Sequence, residues 1–372
     1  MELSGAESNL FDKQNPFKRF FSRFNRKQKI ILGVTAGVIA LILLTFGIVF
    51  AVTRDNVNEE IAETPKEEIP DDPVVSHYAP LTGLPLDEEF PANHLVIAAI
   101  IENSTAARPQ SGLAEAEIIY ETIANGGISR FIALYQVNRP ALMGPMRSLR
   151  NHFADWTIPF DAAMAHHGGS DTALADIARP PNRSIQTMTL AGTEIYWRIR
   201  ERQSPHNLYT NIERLTLLAT SRGYTTSNFT IPFLRSDEPA TSTVRANQVN
   251  LNMAQASMNV VYRFDEATST YLRSFATGAA HHDREHGQLA PRVVIAIRVN
   301  SRTVSSDFED VTTTGNGEAF VFQDGYVISA RWQKLSRSAP LELFDTAGHP
   351  IVLARGQTWI TAVPNNNTIS WQ

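Results

Sequence analysis

Residues 125–136 read NGGISRFIALYQ, and residues 107–113, 144–150 and 165–171 on either side of them read ARPQSGL, GPMRSLR and AHHGGSD. Each segment places arginine, histidine or glycine beside an apolar run that a folded chain should bury. Because burying an unpaired charge is costly, such residues seldom cluster next to a core without a role. This part of the chain therefore predicts one polar cleft lined by arginine and histidine side chains.

Apolar runs of strand length accompany these segments. Residues 94–102, HLVIAAIIE, form a continuous apolar run that ends in a charge, which is typical of a strand covered on both faces. Residues 117–123 and 128–136 predict two further strands. Asn125-Gly126-Gly127 between them has the turn chemistry of a β-hairpin. A sheet with a hairpin is therefore expected in this half of the chain.

Helices are expected beside these strands. One should cover residues 147–156, and a second should follow Ser170, whose hydroxyl is a good N-cap. A third should open at a capping box formed by Thr210 and Glu213. Since helices and strands are mixed, residues 78–235 are expected to form a mixed α/β domain.

The remainder, residues 236–372, is predicted to be mostly strand. The runs VVYRF, TYLRSF and VVIAIRV are of strand length, and Asp324-Gly325 between two apolar runs is a strong hairpin signal. The sequence therefore predicts a smaller β-rich C-terminal domain, built as a small twisted sheet or partial barrel. The fold class expected for the whole folded part is α+β.

A membrane helix is predicted ahead of these domains. Residues 30–52 contain 23 residues without a charge, and at about 1.5 Å per residue they can span a hydrocarbon core of about 30 Å. Residues 1–29 are basic, so the positive-inside rule places the N-terminus in the cytoplasm and the C-terminal domains outside. A cleaved signal peptide is the alternative. Residues 53–77 are acidic and proline-rich, which predicts a disordered linker.

Composition narrows the classes of function. The formal net charge of −5 and the pI of about 6.1 give no basic field for nucleic acid. The chain has no cysteine, which excludes disulfides, thiol nucleophiles and thiolate metal ligands. No cofactor is expected.

The candidate binding residues are those of the polar segments and of the later segment ERQSPHNLY. Arginine suits this role because its guanidinium group binds carboxylate or phosphate through two parallel hydrogen bonds. The alternative is that the arginines brace the fold by pairing with Glu102, Glu117, Glu121 and Asp155. The candidates are Arg108, Gln110, Arg130, Arg147, Arg150, His166, Ser170, Arg202, His206 and Asn207.

A later histidine-rich segment resembles a metal site only in part. His281, His282, Asp283 and His286 include an i, i+4 histidine pair. However, the surrounding glycines and proline predict no helix to present both ligands on one face. A surface loop is the expectation, and no metal is expected. The spacing of serine, histidine and aspartate in the sequence does not identify a Ser–His–Asp triad, because triads are defined by geometry.

Several motifs together are similar to those of the YerB-like family of bacterial envelope lipoproteins. They are PLTGL, ENSTAARPQSGL, AEIIYE, GGISRFIALYQ, GPMRSLR, HHGGS, SPHNLY, the later HHD and GQTWI. The resemblance covers residues 80–364 and implies an N-terminal α+β domain with a smaller β-rich domain after it. It implies no reaction. Family members often carry a lipidated cysteine, which this chain lacks, so residues 30–52 are expected to be the anchor. Where relatives tend to have Glu-Gly-Gly, this chain has Asn125-Gly126-Gly127, which weakens the case for a catalytic carboxylate there.

The function expected from these features is that of a membrane-anchored, extracytoplasmic binding or accessory protein of the cell envelope. Its partners would be cell-wall components or cell-wall synthesis proteins, and no enzymatic activity is expected. The alternative is an envelope hydrolase acting on a cell-wall or lipid-linked substrate, with His166 or His206 as general base.

Overall fold

The computed structural model describes residues 25–27, 30, 77–186, 188, 193–238, 242–305 and 308–372. Strands dominate these residues. The strands are β1 (Ile97–Glu102), β2 (Ile118–Asn125), β3 (Ile128–Tyr135), β4 (Ala163–Ala165), β5 (Arg183–Ser184), β6 (Trp197–Arg198), β7 (Leu208–Tyr209), β8 (Arg235–Ser236), β9 (Gln248–Leu251), β10 (Val260–Asp265), β11 (Thr270–Phe275), β12 (His282–Asp283), β13 (Gly287–Gln288), β14 (Val293–Val299), β15 (Ser301–Ser305), β16 (Phe308–Val311), β17 (Gly315–Gln323), β18 (Tyr326–Lys334), β19 (Glu342–Asp345), β20 (Leu353–Ala354), β21 (Thr358–Pro364) and β22 (Ile369–Trp371).

Helices in the described chain are short. The α-helices are α1 (Ala154–Thr157), α2 (Asp171–Ile177) and α3 (Ile212–Ser221), and the 3-10 turns are Thr105–Ala107, Asn151–Phe153, Ile158–Phe160 and Ala256–Met258. No helix of the described residues is long and apolar enough to cross a membrane. The predicted membrane helix at 30–52 lies outside the described residues except for Ile30, as does nearly all of the predicted linker at 53–77.

One ten-stranded mixed sheet forms the centre of the molecule. Its strand order is β19-β18-β17-β14-β21-β2-β3-β1-β4-β5. The strand β21 lies between β14 and β2 and pairs with both in parallel. The sheet thus combines strands from both sides of the expected boundary at residue 235, and the described residues from 77 to 372 belong to one compact unit.

Both faces of this sheet are covered, which explains the continuous apolar runs. Along β1, Ile97, Ala99 and Ile101 pack into one hydrophobic cluster, whereas Ala98 and Ile100 pack into another on the opposite face. A strand with both faces buried needs apolar side chains at every position. The alternation along β1 is therefore between two cores and not between core and solvent.

A second sheet covers the half of the large sheet that carries β14 and β17. Its strand order is β11-β10-β9-β22. Side chains of this sheet, such as Val249 and Tyr262, share a third hydrophobic cluster with Val294 and Phe322 of the large sheet. The C-terminal part is therefore β-rich, as predicted. It forms a small sheet stacked on a shared large one instead of a separate twisted sheet or partial barrel.

The predicted helix over residues 147–156 is wrong in its first half. The backbone N–H of Met146 donates to Leu208, that of Arg147 donates to Ile100, and that of Leu149 donates to Gly168. These partners hold the segment extended beside the end of β1, so helical structure begins only at residue 151. The other two predicted helices are confirmed. Ser170 caps α2 as expected, but the N-cap of α3 is Asn211 and not Thr210.

Candidate functional site

A buried carboxylate lies at the centre of the candidate site. Glu102 is the last residue of β1, and its Oε1 accepts hydrogen bonds from Ser104 Oγ at 2.7 Å and from His206 Nδ1 at 2.9 Å. The Nε atom of Arg147 lies 3.3 Å from the same oxygen. The Oε2 atom has no hydrogen-bond partner among the described residues. Glu102 therefore joins β1 to the 144–150 segment and to the loop that carries His206.

The contact with Glu102 fixes the orientation of His206. Since a carboxylate only accepts hydrogen bonds, Nδ1 of His206 carries a proton in this contact, and a neutral ring therefore has its lone pair on Nε2. No hydrogen bond links that Nε2 to another described residue, and the side chain is 27% exposed. Asn207 holds the loop by donating to the carbonyls of Ile199 and Arg202. An imidazole held in this way can accept a proton from a bound ligand.

Two arginines converge beside Glu102 on a neutral partner. Arg130 on β3 is the register partner of Glu102, and its Nη2 donates to Asn125 Oδ1 at 2.9 Å. Arg150 Nη2 donates to the same oxygen at 3.3 Å. The remaining side-chain hydrogen bonds of these arginines go to the carbonyls of Ser148 and Leu149.

The charge of this cluster is not balanced. Among the described residues, neither Arg130 nor Arg150 forms an ion pair with a carboxylate, although both side chains are at least nine-tenths buried. Burial, and then Arg150 and Arg147, lower the pKa of Arg130 well below its usual value. Burial and Arg147 lower the pKa of Arg150 to about 10. Because a guanidinium group stays protonated in proteins, this cluster holds three positive charges, and only Arg147 pairs with a carboxylate of the described residues, that of Glu102.

His167 lies beside the arginine cluster. Its backbone N–H donates to Arg147, and burial together with the charges of Arg198 and Arg147 lowers its pKa. The preceding residue, His166, is a predicted site residue, but its side chain contacts other groups. Its Nδ1 donates to the carbonyl of Gly168 and its Nε2 accepts from Ser184 Oγ. Burial lowers its pKa to about 4, so this ring is neutral and braces the fold.

Three other candidates have structural contacts away from Glu102. Arg202 donates to the carbonyls of Ala107 and Pro109 and fastens its own loop to that segment. Arg108 donates to the carbonyl of Ser257. Ser170 is the N-cap of α2. The structure therefore brings Arg130, Arg147, Arg150 and His206 together. It places Arg108, Gln110, His166, Ser170, Arg202 and Asn207 around them as supports.

Gln110 belongs to a buried polar network that includes His281. His281 Nε2 donates to Gln110 Oε1 at 2.9 Å, and its Nδ1 accepts from Arg273 Nε. His281 and Asp283 are fully buried, so the expectation of a surface loop is wrong for these two residues. Asp283 accepts from the backbone of Ala114, and His286 instead faces Glu115. The histidines of this segment thus point to different partners.

The two residues that complete the cluster were not among the candidates. The sequence pattern predicts Glu102 as a brace for arginine and Asn125 as a turn residue. The feature that indicates them as site residues is their position at the ends of β1 and β2, beside the strand that carries Arg130. Two cavities of the described residues do not include Glu102. One of about 730 Å³ is lined by residues of 298–318 with Trp332 and Asn365, and one of about 450 Å³ includes Arg150 and Ser170.

The described residues form a strand-rich α+β fold. Residues 81–225 match the family described as "Protein of unknown function (DUF3048) N-terminal domain", and residues 249–360 match "Protein of unknown function (DUF3048) C-terminal domain". The chain belongs to this family.

Two comparisons agree with this assignment. The chain is 30% identical over 297 residues to "Putative lipoprotein YerB" of Bacillus subtilis (strain 168), which covers 78% of this chain and 88% of that protein. The crystal structure of the YerB protein from Bacillus subtilis is similar with a TM-score of 0.70 and 28% identity. It covers 79% of this chain and 99% of that one. The resemblance drawn from the sequence motifs is therefore confirmed.

Proposed function

We propose that this protein is an envelope-associated binding protein that holds an anionic ligand against Arg130, Arg147 and Arg150. The observation that carries the proposal is the sharing of one neutral oxygen, Asn125 Oδ1, by two buried guanidinium groups. Buried charges without counter-charges are unfavourable in the free protein. A bound anion would remove this cost. Relief of the repulsion between the guanidinium groups would therefore make the free energy of binding more favourable.

The proposed location outside the cytoplasm is supported by other observations. The relative in Bacillus subtilis carries the name lipoprotein, and residues 30–52 supply an uncharged span of sufficient length in this cysteine-free chain. Cell-wall polymers and lipid headgroups outside the membrane carry carboxylate or phosphate groups. A cell-wall component, or a cell-wall synthesis protein that presents such a group, is therefore the ligand class that we propose.

The test compares Arg150→Ala with Arg183→Ala. Arg183 is the control because it lies outside the cluster and already pairs with Asp161 at 2.7 Å. Thermal unfolding of the full-length chain in detergent would be followed with phosphate, sulfate or acetate at constant ionic strength. A ligand present at about 100 times its Kd stabilises a protein by about 2.7 kcal/mol. We expect the melting temperature of wild type and Arg183→Ala to rise with an anion, and that of Arg150→Ala to remain unchanged. An equal rise in all three would contradict the proposal.

A second function, hydrolysis of the bound ligand, is favoured by the contact between Glu102 and His206. The carboxylate orients the imidazole so that Nε2 can take a proton from an attacking water. Isolated cell walls and a lipid extract would be incubated with wild type and with His206→Gln. A product released by wild type alone would support hydrolysis, whereas identical product profiles would leave binding as the only function.

A further inference from the structure

We infer that the arginine cluster selects a dianionic group, such as phosphate or sulfate, over a single carboxylate, and that the neutral side chain of Asn125 preserves this selectivity. The inference rests on the proposed anion binding and deepens it. Asn125 ends β2 at the hairpin turn, where its side chain lies between the guanidinium groups of Arg130 and Arg150.

The chemistry of the amide explains the role of Asn125. Its Oδ1 accepts one hydrogen bond from each arginine, at 2.9 and 3.3 Å. An amide oxygen carries only a partial charge, so it satisfies these donors without cancelling the charge of either guanidinium group. A carboxylate in the same place would form charge-assisted hydrogen bonds with both and would neutralise one of them. Asn125 thus orders the two arginines and preserves their charge.

The charge count then indicates the ligand. Arg130, Arg147 and Arg150 contribute three positive charges and Glu102 one negative charge, which leaves an excess of two. A monoanion would cancel half of this excess, whereas a dianion would cancel it fully. Guanidinium groups also bind phosphate oxygens through paired hydrogen bonds. His167 lies beside Arg147 and adds no negative charge.

Two substitutions at position 125 separate the charge effect from a structural effect. Asn125→Asp keeps the shape of the side chain and adds the missing carboxylate. We expect it to raise the melting temperature of the free protein and to weaken sulfate binding about tenfold or more, since it adds a charge next to the bound anion. Asn125→Ala removes the acceptor and adds no charge. It should lower the melting temperature and retain the preference for sulfate over acetate.

The affinities would be measured by calorimetry on the full-length chain in detergent, with chloride used to hold the ionic strength constant. Opposite changes in stability and affinity for Asn125→Asp would support the inference, because a purely structural residue would move both in the same direction. Sulfate affinity equal to that of wild type in Asn125→Asp would overturn it. Equal affinity of wild type for acetate and sulfate would also overturn it, while leaving anion binding intact. If wild type bound none of phosphate, sulfate and acetate, the proposed function would fall as well.

Discussion

Glu121 and Arg273 show how single residues join the two family segments. The carboxylate and guanidinium groups are completely buried and lie 2.9 Å apart. Glu121 also accepts from Trp359 Nε1 at 3.2 Å and from Ser129 Oγ at 2.8 Å. The pair therefore connects β2 with strands β11 and β21, which lie far away in the sequence.

Removal of either partner should destabilise the protein strongly. Glu121→Ala or Arg273→Ala would leave a buried charge without its partner, which costs about 3–5 kcal/mol. Urea unfolding would measure this loss. The double variant Glu121→Ala/Arg273→Ala should be less destabilised than the sum of the single variants, because neither charge remains alone. A single variant within about 0.5 kcal/mol of wild type, the range of ordinary surface substitutions, would show that the pair does not hold the sheet together.

Buried histidines predict a loss of stability in acid. Burial lowers the pKa of His152 and of His166 to about 4, below the unfolded value of about 6.5. Because the folded pKa of each histidine is lowered, its contribution to the free energy of unfolding is fully present above pH 6.5. This contribution is lost as the pH falls from 6.5 through 4. Each histidine should change the free energy of unfolding by up to about 1.4 kcal/mol per pH unit in that window. The slope from urea unfolding should decrease in His166→Gln, and an unchanged slope would contradict the assignment.

The arginines of the site could be predicted from sequence because charged residues beside apolar runs are rare. Their partners could not. Glu102 and Asn125 lie at the ends of separate strands, and only the pairing of β1 and β2 with β3 places both beside Arg130. The role of His166 was also beyond prediction, since its partner Ser184 follows 18 residues later on another strand. Residue type predicts the kind of site, whereas contacts distant in sequence determine which residues lie together in the candidate site.

Among the elements, the hairpin of β2 and β3 was predictable in detail. Its turn requires two residues with positive φ, and Gly126 and Gly127 adopt φ values of +55° and +74°. The 147–156 segment was not predictable, because backbone partners on β1 and in the 167–169 loop override its helical pattern. The local sequence therefore predicts the hairpin correctly. It fails for the 147–156 segment, where hydrogen bonds to distant residues replace those of a helix.

The two turn glycines provide a matched test of this hairpin. A Cβ at Gly126 would meet no atom within 4 Å, whereas one at Gly127 would lie 2.9 Å from Gln255 Cγ and 3.1 Å from Ala254 Cβ. Alanine with positive φ costs about 1–2 kcal/mol in either position. Overpacking adds about 1–3 kcal/mol at Gly127. Gly127→Ala should therefore unfold at a lower urea concentration than Gly126→Ala. Equal midpoints would mean that the turn does not pack against residues 254–255.

For the whole molecule, the charge pattern around residues 30–52 predicts the topology. Basic residues precede this span and an acidic segment follows it, so residues after about 54 should lie outside the membrane. Protease added to intact cells, with any outer membrane opened, should degrade the C-terminal part, as detected with an antibody against it. A cytoplasmic protein should remain intact as the control. Protection of the C-terminal part would contradict this topology.

The shared sheet predicts that the N-terminal half cannot fold alone. A fragment of residues 77–235 lacks β21, which pairs with β2 from Ile118 to Glu121. It also lacks Trp359, whose ring contacts Phe131 with 5.3 Å between ring centroids. The hydrogen-bonding edge of β2 and both faces beside it would then be exposed, which favours unfolding or aggregation. We expect this fragment to show no cooperative unfolding by circular dichroism, whereas a fragment of residues 77–372 should unfold in a cooperative transition. Cooperative unfolding of the shorter fragment would instead show that residues 78–235 form an independent domain, as the sequence pattern alone predicts.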